Sequence, residues 1–550
     1  MVQNGDGISD GAEEKMLNNE EKENLAKKDE VKFISGDQQN GDAKIDIGTL
    51  DKAFTGMTKD ELMKYANDPF WVRLRWIFFI VFWMIWVIML VGAILIIINA
   101  PKCAAPTPLV WWKQGPLADF KEGDATPSHV EVAKKISAKG VIYELPSEHT
   151  YSTKNPKVEA FINNLVNTYK ETGIEVILDV TANYVHSDSD MLKEALEDEA
   201  KRSAFFWVEQ PEIPNNWRSI VNGSAWDQVR PQNFVLSQFG DGKYDLHVND
   251  THVKKALKEN LRHMLGLGVK GFRLSNVKHF ILTKNLQDEV PSNDRNCIHD
   301  QYCFWTHSQT TFQEGLGDFL EELTLDIRNA SNGEAFLSVN EDTIRPEVFK
   351  TKTGEFGIDL PIFGRFSHYL GLRNSTKNKD LHMELYKTMV EIGNNTWMQW
   401  VYDFEDLGKI DPSAYNMFIM LLPGVPVESE TAIVTSISNH TTEYLKQLET
   451  MRLTATYMHG TFNLYHFGEV VAYSRFKSGN PGFFVVLNPT DEHVSANFTV
   501  ESLPDKMTFD MLSLNFNNSA AVPKGKVLSE AIPMSPHSAA ILTYVPVKKD

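Results

Sequence analysis

Several short apolar segments of this 550-residue chain end in polar side chains that could take part in catalysis. Asp179 and Asn183 lie in VILDVTANYVH, Arg273 and Ser275 lie in GVKGFRLS, and Asp403 ends WMQWVYD. A carboxylate can act as a general acid, a general base or a nucleophile, and an arginine can stabilise developing negative charge. The alternative interpretation is structural, with these side chains hydrogen-bonded to one another at the ends of strands.

The segments that carry these residues alternate with helical patterns. The helix KVEAFINNLVNTYKETG precedes the strand IEVILDV, THVKKALKENLRHMLGLG precedes VKGFRLS, and FQEGLGDFLEELTLDIRNA precedes AFLSVNE. Strict alternation of helices and short apolar strands predicts a parallel α/β sheet, and a chain of this length suits a closed (β/α)8 barrel of the TIM type. The sequence therefore predicts such a barrel over residues 111–460.

The pattern changes after residue 460. VVAYSRF, GFFVVLN, SANFTV and AAILTYV read as strands separated by Gly, Pro and Asn turns, with little helix between them. Strands of this kind without crossover helices pair antiparallel. We therefore predict a C-terminal antiparallel β-sandwich domain over residues 461–550.

One segment predicts a membrane anchor. From Ile77 to Ile98 the chain reads IFFIVFWMIWVIMLVGAILIII, without a charged residue. At about 1.5 Å per residue this stretch reaches roughly 33 Å, enough to cross a hydrocarbon layer of about 30 Å. A buried helix rarely stays apolar on every face for this length, and a secretory signal would begin near residue 1. The expected partner of residues 71–100 is thus the lipid bilayer.

The flanks of this segment predict its orientation. Lys59, Lys64, Arg73 and Arg75 precede the apolar stretch, and fewer cations follow it closely, which favours a cytoplasmic N-terminus. Asn-X-Ser/Thr acceptors for N-glycosylation occur only after the stretch, as expected for a lumenal and extracellular domain. These acceptors are Asn222, Asn249, Asn329, Asn374, Asn394, Asn439, Asn497 and Asn517.

The regions on either side of the span have a different composition. Residues 1–70 are rich in Glu, Lys, Asn, Gly and Asp, with few aromatic residues, which predicts a disordered cytoplasmic tail. Residues 101–110 read as a juxtamembrane linker. The net charge of −19 argues against nucleic acid as a partner, because phosphates would be repelled.

Several motifs of the predicted barrel resemble those of the alpha-amylase-type glycoside hydrolases. VILDVTANYVH resembles their first signature, GVKGFRLSNVKHF the strand that carries their nucleophile, WMQWVYD the strand that ends in Asn-His-Asp, and LLPGVPV the approach to the last strand. PNNWRSIVNGSAW resembles the small domain inserted after the third strand in their alpha-glucosidase branch. The resemblance thus implies a short inserted segment at about residues 185–245.

The same resemblance implies a degenerate catalytic site. It places Ser275 where the nucleophilic Asp is expected, and a hydroxyl without a neighbouring base is a poor nucleophile. Tyr184 and Tyr402 occupy positions of family histidines, and either Asn340 or Glu341 occupies the position of the general acid. We therefore expect no enzymatic activity. The implied remnant of the site is Asp179, Asn183, Arg273, Ser275, Glu341 and Asp403.

A hydrolase scaffold with a degenerate site and an N-terminal anchor resembles the heavy-chain subunits of heteromeric amino-acid transporters. The resemblance implies a non-catalytic heavy chain that stabilises a polytopic light chain and delivers it to the plasma membrane. It implies a single-pass type II protein with no cofactor and no metal. A membrane-anchored alpha-glucosidase and a cell-surface receptor or adhesion protein remain alternative functions.

The three cysteines predict two kinds of disulfide. Cys297 and Cys303, in CIHDQYC, could close a small loop in an oxidising compartment. Cys103 is then left over, and an odd external cysteine is either a free thiol or an intermolecular partner. The resemblance to the heavy chains implies that Cys103 forms the interchain disulfide to the light chain. A homodimer through the same residue is the alternative.

Overall fold

The computed structural model describes residues 59–99, 107–121, 123, 125–240, 242–364, 366, 381–393, 396–402, 408–433, 442–519 and 523–546. The chain divides into two compact units, Met1–Ala104 and Ala105–Asp550. Most of the predicted disordered tail, the juxtamembrane Cys103 and the site candidate Asp403 lie outside the described residues. So do three of the glycosylation acceptors, Asn374, Asn394 and Asn439.

The described residues of the first unit form two helices, α1 (Lys59–Ala66) and α2 (Pro69–Asn99). Helix α1 lies within residues 1–70, shortly before the apolar segment. KDELMKYA is made of good helix formers, with acidic residues in its first turn and Lys64 in its last, which suits the helix dipole.

Helix α2 is 31 residues long and has no buried side chain. Asp68 begins it by accepting a hydrogen bond from the Phe70 N–H through its side chain, at 2.9 Å, and Pro69 follows at a position that suits proline. Its length and apolar composition are sufficient to cross a membrane. It begins two residues before the predicted boundary at residue 71.

The second unit contains the predicted barrel, which is confirmed. Eight parallel strands close in chain order, each pairing with the next and the eighth with the first. Parallel neighbours need crossover connections, and helices supply most of them. The strands are β1 (Leu117–Lys121), β2 (Gly140–Glu144), β3 (Glu175–Thr181), β4 (Gly271–Ser275), β5 (Phe336–Asp342), β6 (Leu360–Ile362), β7 (Gln399–Tyr402) and β8 (Val425–Ser429).

The remaining helices surround the barrel or join it to the C-terminal sheets. Several begin at a side chain that accepts a hydrogen bond from the first turn, as Thr126, Asn155, Asp250 and Asp411 do. They are α3 (Trp111–Gln114), α4 (Pro127–Lys135), α5 (Pro156–Tyr169), α6 (Asp190–Glu197), α7 (Thr251–Gly266), α8 (Leu316–Ala330), α9 (Pro346–Phe349), α10 (Leu381–Ile392), α11 (Pro412–Met420), α12 (Thr442–Arg452) and α13 (Ala455–His459).

The inside of the barrel is filled at its amino-terminal end. Leu117, Ile142, Ile177 and Val427 come from different strands yet belong to one buried cluster, so they meet in the interior. Gly271 leaves room there: a Cβ at this position would lie 2.4 Å from the ring of Phe336. The barrel is therefore a packed core, and chemistry is left to the opposite end.

A short segment between β3 and α7 forms two small sheets of its own. Tyr184–His186 pairs with Lys243–Asp245, and Asn233–Leu236 lies between Trp207–Glu209 and Trp226–Arg230. A stacked pair of indoles, Trp217 and Trp226, forms its core with ring centroids 5.8 Å apart. We refer to residues 184–245 as the inserted segment.

The predicted C-terminal antiparallel fold is confirmed. Its strands are β9 (Thr461–Phe467), β10 (Val470–Phe476), β11 (Gly482–Leu487), β12 (Val494–Ala496), β13 (Lys506–Leu512), β14 (Lys526–Leu528), β15 (Ile532–Met534) and β16 (Ala539–Tyr544). The six-stranded sheet has the order β9-β10-β11-β16-β13-β14, and β12 pairs with β15 in a second sheet. Alternate residues of β10 face opposite cores: Val471 and Tyr473 face the barrel helices, whereas Val470 and Ala472 face the small sheet.

Strand β8 carries a buried carboxyl group on its outer side. Val427 points into the barrel, so its neighbour Glu428 points toward the helices. Glu428 is 2% exposed, and its Oε2 has no hydrogen-bond partner among the described residues. Burial disfavours the charged form and raises the pKa of Glu428 to about 7.

We predict that Glu428→Gln stabilises the protein above neutral pH. A carboxyl group with a raised pKa contributes stability at low pH, and this contribution is lost as the pH rises toward 7. The variant should unfold at nearly the wild-type temperature at pH 5 and at a higher temperature at pH 8. A gain on the order of 3 kcal/mol corresponds to this shift.

Thermal unfolding of the full-length protein in detergent at both pH values measures this effect. Glu430→Gln is the matched control, because Glu430 is exposed and lies two residues further along the chain. Equal pH dependence in wild type and Glu428→Gln would contradict the prediction.

Candidate functional site

The polar residues singled out in the sequence lie at the carboxyl ends of the barrel strands. Asp179 lies near the end of β3, Arg273 and Ser275 near the end of β4, and Glu341 near the end of β5. In parallel barrels this end carries the functional groups, because the loops that follow the strands converge there. Strand order alone therefore brings these side chains to one edge.

Arg273 is the centre of this group. It is 2% exposed and donates from Nη1 to Oδ2 of Asp119 at 2.8 Å. Its Nε and Nη2 lie 2.9 and 2.7 Å from Oδ2 of Asp179. One guanidinium thus joins carboxylates from β1 and β3 to its own strand β4, and buried charges of this kind require such pairing.

Ser275 is bound to the same carboxylate. Its hydroxyl donates to Oδ1 of Asp179 at 2.6 Å, and it accepts a hydrogen bond from Nδ2 of Asn340 at 3.2 Å. Burial raises the pKa of Asp179 above its ordinary value, although Arg273 and the Ser275 hydroxyl each oppose this effect. Both oxygens of Asp179 are therefore occupied by groups of the protein.

Glu341 is directed away from this group. Its carboxylate accepts a hydrogen bond from the backbone N–H of Lys278 at 3.1 Å and lies 3.6 Å from the Lys278 ammonium. Of the two candidates for the acid position, Asn340 contacts Ser275 and Glu341 is paired with a lysine. Successive residues of a strand point to opposite sides, which explains the difference.

Asn183 and Tyr184 lie at the rim of the site. Asn183 is buried and accepts a weak hydrogen bond from Asn276 at 3.4 Å, while its own Nδ2 has no partner among the described residues. Tyr184 is 7% exposed and packs against the ring of Phe239, with centroids 5.2 Å apart. The described part of β7 ends at Tyr402, immediately before Asp403.

Asp119 is the one member of the group that the sequence reasoning missed. It lies in LADFK, the first barrel strand, which is short and follows a cis-proline turn. A carboxylate within a short apolar segment was the available signal, as it was for Asp179. Unlike β3, the first strand carries no recognisable motif that would single out its aspartate.

The predicted disulfide and glycosylation positions lie away from this group. Cys297 and Cys303 are joined by a disulfide in the long loop between β4 and α8. The acceptors Asn222, Asn249, Asn329, Asn497 and Asn517 are all exposed. Among the described residues, no group of three His, Cys, Asp or Glu side chains has a geometry suited to a metal ion.

This arrangement has little capacity for glycosidic or acyl chemistry. The Ser275 hydroxyl donates to the carboxylate of Asp179, whose other oxygen is held by the guanidinium of Arg273. Asp119 and Asp179 are bound to the same arginine, so neither is a free proton donor or nucleophile. The polar groups mainly satisfy one another, which favours the structural interpretation.

Two sequence families match the chain. The family described as solute carrier family 3 member 2 N-terminus matches residues 42–118, and the family described as alpha amylase, catalytic domain, matches residues 156–407. Together they cover the membrane helix and most of the barrel.

The curated relatives fall into two groups. The amino acid transporter heavy chain SLC3A2 of Oryctolagus cuniculus is 28% identical over 314 residues, covering 50% of this chain and 57% of the relative. The heavy chain SLC3A1 of Homo sapiens is 24% identical over 430 residues, covering 68% of this chain and 60% of the relative. The chain thus spans about three fifths of these relatives' lengths. Maltase A1 of Drosophila melanogaster is 25% identical over 286 residues, covering 46% of this chain and 49% of the relative.

Solved structures share the fold. Trehalose-6-phosphate hydrolase of Bacillus licheniformis superposes with a TM-score of 0.59 at 13% identity, covering 79% of this chain and 100% of that one. Trehalulose synthase MutB of Pseudomonas mesoacidophila MX-45 superposes with a TM-score of 0.60 at 15% identity, covering 80% of this chain and 100% of that one. At this identity the likeness concerns the fold alone.

We predict that Arg273→Met strongly destabilises the barrel. The substitution keeps much of the side-chain volume but leaves Asp119 and Asp179 buried next to each other without a cation. Breaking a buried ion pair in this way costs about 3–5 kcal/mol of unfolding free energy. Urea denaturation of the full-length protein, followed by tryptophan fluorescence, measures the loss.

Arg262→Met is the matched control for this experiment. Arg262 pairs with Asp326 between α7 and α8, but its side chain is 54% exposed. Removing an exposed pair should change the unfolding free energy by no more than about 1 kcal/mol. Similar losses of unfolding free energy in the two variants would show that the buried Arg273 network stabilises the protein no more than an exposed ion pair does.

Proposed function

Because the chain is homologous to the amino acid transporter heavy chains and is built on an alpha-amylase-like scaffold, we propose that it is a non-catalytic heavy chain. In this role it binds a polytopic light chain, stabilises it and brings it to the plasma membrane for amino-acid transport. The observation that carries the proposal is a membrane-type helix preceding a hydrolase barrel whose catalytic edge is internally paired.

The barrel edge supports the non-catalytic part of the proposal. Hydrolysis with retention needs two available carboxyl groups, one as nucleophile and one as acid/base. Here Ser275 occupies the position that the resemblance assigns to the nucleophile and donates its hydroxyl proton in a hydrogen bond to Asp179, and Glu341 is paired with Lys278. A sugar would have to break these contacts before it could gain any of its own.

The composition of the chain supports a type II orientation. Arg73 and Arg75 lie in the first turns of α2, and the glycosylation acceptors all follow that helix. Cations next to a span stay on the cytoplasmic side, and glycans are added on the other side. The ectodomain of the proposed heavy chain is therefore extracellular, at the plasma membrane.

Helix α2 offers two distinct faces for contact within the membrane. Trp76, Phe79, Trp83 and Trp86 recur at three- and four-residue intervals, and each ring contacts the next edge to face. Gly92 lies on the opposite side of the helix, because nine residues at about 100° each separate it from Trp83 by half a turn. Small residues permit close approach of a second helix, so we assign the Gly92 face to the light chain.

A single apolar helix cannot enclose a path for a solute, which supports the division of labour. Among the described residues, α2 is the one helix suited to cross a membrane. Transport therefore requires a polytopic partner. Cys103 lies in KCAAPTP directly after this helix, and we propose that it forms the disulfide to that partner.

A membrane-anchored alpha-glucosidase is the second candidate. The similarity to Maltase A1 over 286 residues favours it. The serine at position 275 and the pairing of Glu341 with Lys278 argue against it. These two observations concern the reacting groups themselves, so we give them more weight than overall similarity.

We predict that the purified full-length protein does not hydrolyse maltose or an aryl alpha-glucoside above the blank. Ser275→Asp alone should not create an efficient enzyme. Its carboxylate would replace a hydroxyl that lies 2.6 Å from Asp179, and two carboxylates at this distance repel each other. Tyr184 also remains packed at the rim.

Release of the aryl group, followed by absorbance, measures activity, and Ser275→Asn is the uncharged control for Ser275→Asp. Hydrolysis by the unmodified protein that disappears in Asp179→Asn would overturn the non-catalytic proposal.

We predict that Cys103→Ser removes the covalent heterodimer but leaves much of the noncovalent complex. The proposed bond acts as a tether that raises effective concentration and adds little contact of its own. Surface delivery of the light chain should fall only partly. It should fall much further when residues 77–98 are replaced by an unrelated apolar helix.

Nonreducing gels of membranes, together with surface labelling of the polytopic protein released by reduction, measure both effects. Cys297→Ser serves as a control, because Cys297 is bonded within the chain. If Cys103→Ser migrates as the wild type does on nonreducing gels, then Cys103 does not form the bridge.

A further inference from the structure

Six large aliphatic side chains are exposed on two neighbouring parts of the second unit. Three lie in the inserted segment and three in the loop between β4 and α8. Val221, Val290 and Ile298 are exposed over 61%, 58% and 65% of their area. Hydrogen bonds from Asn216, Trp217 and Tyr302 join the two segments, so these side chains belong to one region of the surface, and large exposed apolar regions mark sites of interaction. We refer to Ile213, Ile220, Val221, Leu286, Val290 and Ile298 as the aliphatic patch.

The patch stands on a rigid base. Asn216 exchanges two hydrogen bonds with the backbone of Glu289, at 2.7 and 2.9 Å, and the indole of Trp217 donates to the carbonyl of Gln287 at 2.9 Å. The Glu289 carboxylate is buried and accepts hydrogen bonds from the backbone N–H groups of Ser308 and Gln309. The aliphatic side chains are therefore held at the surface by an ordered framework.

Asn222 lies within this patch, directly after Val221. Its Oδ1 accepts a hydrogen bond from the backbone N–H of Tyr302, at 3.0 Å, in the loop closed by the Cys297–Cys303 disulfide. The same loop carries Ile298. Since the oxygen of the Asn222 amide faces the protein, its nitrogen is left for the solvent side. That nitrogen is the atom to which an N-linked glycan is attached.

We propose that an N-linked glycan on Asn222 covers the aliphatic patch. One face of an N-acetylglucosamine ring consists of C–H groups and packs on aliphatic side chains, removing apolar surface from water. The covalent link holds the first sugars at high effective concentration over Val221 and Ile298. This inference rests on the extracellular orientation of the proposed heavy chain.

Asn249 provides the matched comparison within the same chain. Its surroundings are charged: Lys254 and Lys258 pair with Glu322 at 2.8 and 2.6 Å, and Lys255 lies near Glu259. No large exposed aliphatic side chain lies within ten residues of Asn249 among the described residues. A glycan there would extend over ion pairs and would not shield apolar surface.

Carbene footprinting of the full-length protein in lipid nanodiscs tests the proposal. Labelling of peptides that contain Val221 and Ile298 is compared before and after enzymatic removal of N-glycans. The same comparison is made for Ser224→Ala, which removes the Asn222 acceptor, and Thr251→Ala, which removes the Asn249 acceptor. Ser224→Thr retains the acceptor and controls for loss of the hydrogen bonds that the Ser224 hydroxyl makes with the Trp226 backbone.

We expect labelling of both patch peptides to rise several-fold after deglycosylation and in Ser224→Ala. It should stay at the wild-type level in Ser224→Thr and Thr251→Ala, and peptides from the barrel interior should be unchanged throughout. Mass spectrometry after glycosidase treatment reports which asparagines carried a glycan, because each becomes aspartate.

Three results would overturn the proposal. Asn222 without a glycan would do so, as would an occupied Asn222 whose glycan can be removed without any change in patch labelling. Protection that is lost only when a reductant releases a partner protein would assign the patch to that partner. Absence of glycans from every acceptor would in addition contradict the extracellular orientation, which keeps the two proposals distinguishable.

Discussion

The pairing of Arg273 with two buried carboxylates is the constraint on which the upper end of the barrel depends. Three strands meet at this guanidinium, and its charge balances Asp119 and Asp179 where water is excluded. A buried arginine without both partners, or both aspartates without the arginine, would be costly. The network therefore has a structural reason to persist whether or not the site performs chemistry.

The same network is consistent with the proposed non-catalytic use of a hydrolase-like scaffold. With a serine at position 275, the carboxylate of Asp179 gains a hydrogen-bond donor at 2.6 Å, where a second carboxylate would repel it. The polar groups at this edge of the barrel thus form hydrogen bonds and ion pairs with one another, and they do not need a substrate as a hydrogen-bond partner. In the proposed heavy-chain role, function rests on the membrane helix and on the outer surface, which can change without disturbing the packed interior.

The outer surface of the second unit is uneven in a way that composition does not reveal. Helices α7 and α8 present ion pairs such as Lys258 with Glu322, whereas the inserted segment and the disulfide loop present aliphatic side chains on a hydrogen-bonded frame. Charged side chains are well solvated, whereas a large exposed apolar surface favours association with another molecule. Asn222 lies in this apolar region, and the glycan that we propose on it would supply the cover.

The sequence by itself determined the order of the elements. The apolar run predicted α2, the alternation of helices and strands predicted the barrel, and turn-rich strands predicted the C-terminal sheets, because periodicity and hydrophobicity are local properties. It also named Asp179, Arg273 and Ser275. Only the tertiary structure decided that Asp119 joins them, that Asn340 contacts Ser275 while Glu341 turns to Lys278, and that Asn222 contacts the disulfide loop at Tyr302. These are contacts between distant segments, set by strand register and loop packing, and no local pattern encodes them.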